Sequence, residues 1–194
     1  MKILGMALKV MKNKLPVRAD VLSVFNVLIF VVFGWSIRGF LFEIPSFLLY
    51  LSLGDITAVV FYMMAFAFFE CVLLTGGLVI VSMILPSNWF RTGFAYKGFL
   101  IILVATTCFI LFQGYYKVGF FQNMINNDYS HIQPMAIGVI VGLMGLIGLF
   151  AVFHNKPKLQ NYLSKFIEQF SIFAYIYVPL GVIGILVVFV RNIF

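Results

Sequence analysis

The sequence predicts an all-α, polytopic integral membrane protein with about five transmembrane helices and two interfacial amphipathic helices. Three observations predict this class: 63% of the 194 residues are hydrophobic, only 10% are charged, and the mean hydropathy is +1.11. A soluble domain usually carries about 25% charged residues, so this chain has too few charges to cover the surface of a globule of its size. We therefore expect the apolar surplus to face lipid.

The long apolar runs predict helices rather than strands of a barrel. Backbone hydrogen bonds are satisfied in lipid only by helices or closed barrels, and barrel strands are about ten residues long with alternating polarity. These runs are apolar throughout and about as long as the roughly 20 residues that a helix needs to cross a bilayer. We expect a five-helix domain over residues 21–194, with spans at about 21–42, 56–85, 98–116, 135–153 and 171–190.

Proline and glycine predict where the first two spans are separated. We expect Pro45 to end the first span, because proline has no N–H to donate inside a helix. Residues 46–53 are too few to cross and are interpreted as an interfacial or re-entrant turn of helix. Gly54 and Asp55 then have the character of a helix stop and a new N-cap.

Two segments are predicted to lie on the membrane surface. Residues 1–20 are basic, with apolar residues on one side of a helical wheel and most lysines on the other, which suits an anionic membrane face. Residues 155–170 repeat apolar side chains at i, i+3 and i+4. Asn155 is suited to cap this second helix and Pro157 to its first turn.

The distribution of Lys and Arg predicts the orientation. The protein has thirteen such residues, and cytoplasmic segments carry an excess of them. One side of the predicted topology holds Lys2, Lys9, Lys12, Lys14, Arg18, Arg91, Lys97, Lys156, Lys158 and Lys165. The other side holds Arg38, Lys117 and Arg191. We therefore predict that the N-terminus is cytoplasmic and the C-terminus is outside, in the plasma or inner membrane of a cell.

Glu70 and Arg38 are the candidates for an ion or proton site. Glu70 lies about halfway along the second span, where a charged side chain costs about 2.5–3.5 kcal/mol on insertion scales. It is either a functional carboxyl or a neutral acid hydrogen-bonded to a neighbouring helix, with Asn26, Thr106, Thr107 and Gln113 as the partners considered. Arg38 either extends to the outer headgroups or pairs with Glu43, Asp55 or Glu70.

The fourth predicted span carries a row of glycines. These are Gly138, Gly142, Gly145 and Gly148, and the first two form a G-x-x-x-G pair. Small residues let helix backbones approach closely in lipid. The row is either a packing face for another helix of this chain, the fifth span with Gly181 and Gly184 being the neighbour considered, or a docking face for a partner.

No motif predicts a catalytic residue, a metal site or a cofactor. The chain has no H-E-x-x-H, paired C-x-x-C, phosphate-binding loop or serine nucleophile elbow. His131 and His154 fall on opposite sides of the predicted topology, and Cys71 and Cys108 lie singly inside apolar runs. The cations flank apolar runs, so they indicate orientation rather than nucleic-acid binding.

Three functions are compatible with these observations. The first is a non-catalytic subunit or accessory protein that binds a larger membrane protein or a second copy of itself. The second is an oligomeric transporter or channel for an ion or small solute that uses Glu70. The third is a membrane enzyme acting on a lipid, built from Arg38, Glu43, Glu70 and His131, although the missing motifs weigh against an enzyme.

Overall fold

The computed structural model describes residues 15–85, 93–124 and 156–193, together with six helical positions between 138 and 148. Every regular element in these residues is an α-helix, which confirms the all-α prediction for this part of the chain. The helices are α1 (Arg18–Tyr50), α2 (Leu53–Ile84), α3 (Phe94–Met124), α4 (Pro157–Gln169) and α5 (Ser171–Ile193). Of the surface segment predicted over residues 1–20, residues 1–14 lie outside the described residues, as do residues 125–137, and residues 18–20 form the start of α1.

Three of the described helices are long and apolar enough to cross a membrane. They are Arg18–Tyr50, Leu53–Ile84 and the continuous stretch Gln160–Ile193, which includes α5. The apolar part of α3 is shorter, at Phe94–Ile110. The structure therefore supports the first, second and fifth predicted spans as membrane helices, and the third and fourth spans stay predictions.

The first helix does not end where proline predicts. Pro45 lies inside α1, which continues to Tyr50, so the expected turn over residues 46–53 is largely the last part of this helix. Proline removes a single i→i−4 hydrogen bond, and transmembrane helices tolerate it where the freed groups are satisfied locally. The prediction that Pro45 ends the first helix is therefore wrong.

The second helix begins three residues earlier than predicted. Its N-cap is Ser52, not Asp55: the Ser52 hydroxyl accepts from the Asp55 N–H at 3.3 Å and donates to the Asp55 carboxylate at 2.7 Å. A serine followed three residues later by an acid is a capping arrangement of this kind. The helix ends at Ile84, before Pro86, as the sequence predicts.

The helices α3 and α4 match their predictions in part. Pro157 is the first residue of α4, as expected. The helix α3 continues to Met124, so residues 117–124, predicted as loop, are helical. Glycine, asparagine and aromatic residues in that stretch suggested a loop, but none of them prevents a helix from continuing.

The chain divides into two compact units, one formed by residues 1–95 and 164–194 and the other by residues 96–163. In the first unit, α1, α2 and α5 pack against one another. Phe30 of α1 contacts Phe173 of α5, and Phe33 stacks on Tyr177 further along both helices, with ring centroids 4.6 and 4.9 Å apart. Both contacts advance along the chain in the same direction, so α1 and α5 run parallel.

The helix α2 runs antiparallel to α5. Gly181 meets Phe68, whereas Gly184 meets Phe61 and Ala65. The glycines of α5 therefore pack on α2, where small residues allow close approach of the two backbones. The core of this unit lies between residues 24 and 33 of α1 and the inner faces of α2 and α5, and Val24, Ile29, Phe33 and Cys71 are completely buried.

Candidate functional site

Glu70 lies on the outer surface of the first unit, near the middle of α2. The face of α2 that packs inward carries Ala67, Cys71 and Thr75, all buried at i, i+4 spacing. Glu70 is exposed, and so are its neighbours on the same side of the helix. We call this surface the Glu70 face and define it as Phe66, Glu70, Leu73 and Gly77. Phe66 is 68% exposed and Leu73 58%.

Glu70 has no hydrogen bond or ion pair to another side chain within the described residues. Asn26 is the partner considered from the first unit, and the structure places no bond between the two side chains. Thr107 donates instead to the carbonyl of Leu103, one turn earlier in its own helix, at 2.8 Å. The Glu70 carboxyl is therefore available to a group that does not belong to α1, α2 or α5.

Arg38 interacts with rings of its own helix rather than with an acid. Its guanidinium carbon lies 4.9 Å from the centre of the Trp35 ring and 5.1 Å from that of Phe42. Cations above aromatic faces are attracted by the ring quadrupole. Among the described residues Arg38 forms no ion pair with Glu43, Asp55 or Glu70, so the structure does not bring the two sequence-predicted site residues together as a pair.

Asp55 pairs with Arg191, a contact that sequence reasoning missed. The two charged groups are 3.8 Å apart, and each side chain is 51% exposed. Both residues fall on the same side of the predicted topology, at the start of one span and the end of another. This shared side makes an ion pair between them possible, but the sequence does not show which helices are neighbours.

A second polar contact joins the same two helices. The side-chain amide of Asn192 donates to the Tyr62 hydroxyl at 3.0 Å and to the carbonyl of Val188 at 2.8 Å. Together with the Asp55–Arg191 pair, this bond fixes the last turn of α5 against the first part of α2. We call these four side chains the α2–α5 polar cluster.

The four glycines of the fourth predicted span differ in their surroundings. A Cβ added at Gly142 would lie 2.6 Å from the Cys108 sulfur of α3, so this glycine packs against α3. Among the described residues, no atom lies within 4 Å of a Cβ added at Gly138, Gly145 or Gly148. Gly142 thus packs on α3, whereas the fifth span was the neighbour considered, and no described residue of this unit covers the other three glycines.

No group of three His, Cys, Asp or Glu side chains comes together in the part of the chain that the structure describes. His131 and His154 lie outside that part. Cys71 and Cys108 are free thiols, the first buried and the second half-buried.

The structural class that follows is that of a multi-pass membrane protein, because three apolar helices have the length to cross a bilayer. A membrane location alone does not account for Glu70, because this carboxyl faces away from the other helices of its unit. No protein-family model, no curated protein and no solved structure matches this chain.

Proposed function

We propose that this membrane protein is a non-catalytic subunit or accessory protein of a larger membrane complex, bound to its partner through the Glu70 face. The observation that carries the proposal is the exposure of Glu70 on an otherwise apolar surface midway along α2. An intramembrane acid usually faces a bundle interior or a wet cavity and has a partner there. In the first unit, this acid faces outward.

The energetics favour a protein surface over lipid as the neighbour of Glu70. A charged side chain at the bilayer centre costs about 2.5–3.5 kcal/mol on insertion scales. A partner helix with a hydrogen-bond donor at the same depth offsets this cost. Gly77, two turns further along the same face, has open space around it, and a small residue there lets the partner backbone come close.

The open glycines of the fourth predicted span support a second contact surface. Gly138, Gly145 and Gly148 carry no side chain, and a methyl group added at any of them would meet no atom of the described residues within 4 Å. We propose that this surface also faces protein, either the partner or another copy of the chain. It is secondary to the Glu70 face, because a row of small residues without a polar group does not require a partner.

The alternative is an oligomeric transporter or channel in which Glu70 binds the ion or proton. Two cavities of the first unit are lined by residues of α2 and α5, and Glu70 lines neither of them. A pathway containing Glu70 would therefore need further subunits. An enzyme acting on lipid has less support, since Arg38 and Glu70 form no pair.

Photocrosslinking tests the docking surface directly. A photoreactive residue is placed at Leu73 on the Glu70 face and, in a separate variant, at Ile176 on α5; the native side chains are 58% and 54% exposed. We expect position 73 to give one discrete protein adduct and position 176 to give lipid adducts only. Identical adduct patterns at the two positions would contradict the proposal.

A pair of carboxyl variants tests the role of Glu70 itself. Glu70→Leu is expected to abolish co-purification of the partner while changing the stability of the isolated chain by less than about 0.5 kcal/mol, as for other surface substitutions. Glu43→Gln, at another exposed carboxyl, is expected to keep the partner. The transporter hypothesis makes a different prediction. Under it, the purified wild type has no other protein bound and drives ion flux in liposomes, and Glu70→Gln abolishes that flux. This result would contradict the accessory-protein proposal.

A further inference from the structure

Two neighbouring cavities lie at the contact between α2 and α5. The first has a volume of about 400 Å³ and is lined by Asp55, Ala58, Tyr62 and Arg191, among others. The second has a volume of about 480 Å³ and is lined mainly by apolar side chains. Its lining includes Phe66, Phe69, Ile185 and Phe189. We call the two cavities together the α2–α5 groove.

The groove follows one stripe of α2. Asp55, Tyr62, Phe66 and Phe69 recur at spacings of three, four and seven residues, which places them on the same side of a helix. From Asp55 to Phe69 the helix rises about 21 Å, at about 1.5 Å per residue. One leaflet of the hydrocarbon core is about 15 Å thick, half of the whole core. The groove is therefore long enough to extend from the headgroup region through one leaflet.

The two ends of the groove have different chemistry. At the Asp55 end, a guanidinium and a carboxylate lie 3.8 Å apart and are each half exposed, so both retain donors or acceptors for a ligand. The second cavity, which reaches Phe69, is lined by aromatic and aliphatic side chains apart from Asn192. A molecule that matches both ends carries charges at one end and a hydrocarbon chain at the other.

The balance of charge at the polar end selects among such molecules. Arg191 is suited to a phosphate, because its planar fork binds phosphate oxygens bidentately. Asp55 neutralises Arg191 and accepts hydrogen bonds from an ammonium group. A headgroup with both a phosphate and a primary ammonium matches this pair better than an anionic headgroup, which would leave Asp55 facing negative charge.

We propose that the α2–α5 groove binds one phospholipid with a primary-ammonium headgroup. Its phosphate lies on Arg191, its ammonium lies on Asp55, and one acyl chain follows Phe66 and Phe69 towards Ile185. This ligand site borders the Glu70 face, because Phe66 belongs to both, but Glu70 itself does not line the groove and the polar end at Asp55 and Arg191 lies outside that face.

Native mass spectrometry of the full chain tests the site. The protein is released from bilayers containing equal amounts of phosphatidylethanolamine, phosphatidylcholine and phosphatidylglycerol. We expect the wild type to retain one phosphatidylethanolamine, and Arg191→Gln and Asp55→Asn to reduce that occupancy by about tenfold or more, because each removes a charge-assisted hydrogen bond. Lys165→Gln, at an exposed cation on α4, is the control and keeps the lipid.

A cavity-filling variant separates lipid binding from loss of the ion pair. Ala58→Phe leaves both charges in place and fills the polar end of the groove, so it too is expected to lose the lipid. Equal retention of the three lipids by the wild type would overturn the proposal, as would unchanged occupancy in Ala58→Phe. Glycerophosphoethanolamine has the same headgroup but no acyl chains. If it displaced the bound lipid at an equal concentration, the apolar end of the groove would contribute nothing to binding, and the proposal would be overturned.

Discussion

At Gly184 the backbone of α5 lies against the backbone of α2 with no room for a side chain. A Cβ at this position would lie 2.7 Å from the Phe61 carbonyl oxygen and 2.9 Å from the Ala65 nitrogen. Backbone atoms cannot rotate away as a side chain can, so a methyl group would have to separate the two helices. The glycine is thus required by the packing and not by the helical conformation.

We therefore expect Gly184→Ala to destabilise the first unit by about 1–3 kcal/mol, the usual cost of overpacking a core. The measurement is reversible unfolding in detergent micelles. Gly77→Ala is the matched control, since a Cβ there meets no atom of the described part of the chain within 4 Å, and it should change stability by less than about 0.5 kcal/mol. Equal destabilisation by the two substitutions would contradict the close α2–α5 contact.

Glu70 shows what can and cannot be predicted for a single residue. Its position midway along an apolar run is visible in the sequence, and the cost of a charge in lipid makes it a candidate at once. The direction in which it points depends on which side of α2 the other helices cover. All sides of α2 are apolar, so hydropathy alone does not distinguish the packed face from the outer one.

The ends of the helices are determined by local hydrogen bonds, which cannot be predicted from the hydropathy of the sequence. The hydroxyl of Ser52 satisfies the Asp55 N–H at the start of α2, and Pro45 is accommodated inside α1. The sequence predicts long helices in this region, because runs of about 20 apolar residues are unmistakable. It does not predict the boundary between α1 and α2, because the cap at Ser52 is identified only by the bond that its hydroxyl accepts.

Removal of the Ser52 hydroxyl tests the observed start of α2. Ser52→Ala is expected to cost about 1 kcal/mol, the typical value for loss of an N-cap, and to speed hydrogen exchange at the Asp55 amide. Ser46→Ala, at an exposed serine inside α1, is the control and should leave exchange at Asp55 unchanged. Unaltered exchange in Ser52→Ala would mean that the helix begins elsewhere.

The pairing of elements is the part of the fold that the sequence leaves most open. Gly181 and Gly184 predict a close helix neighbour, and the structure supplies one, but that neighbour is α2. Helix association in lipid depends on the fit of small and large side chains and not on a hydrophobic driving force. The contact of Phe68 with Gly181 is such a fit. No periodic pattern in the sequence predicts that these two residues meet.

The arrangement of α1, α2 and α5 constrains the path of the whole chain. Because α1 and α5 run parallel and α2 runs antiparallel to both, the start of α1 and the end of α5 lie at opposite ends of the first unit. The end of α2 and the start of α5 lie at the same end. If the three helices cross the membrane, residues 86–170 therefore cross it an even number of times, and two further spans at 98–116 and 135–153 satisfy this condition.

Cysteine accessibility in sealed vesicles tests this topology most directly. Single cysteines are placed at Val17, Asn126, Lys156 and Ile193 in a background with Cys71→Ala and Cys108→Ala, and are labelled with a membrane-impermeant maleimide. We predict that positions 17 and 156 are labelled from the cytoplasmic side only, and positions 126 and 193 from the opposite side only. Labelling of positions 17 and 193 from the same side would contradict this topology.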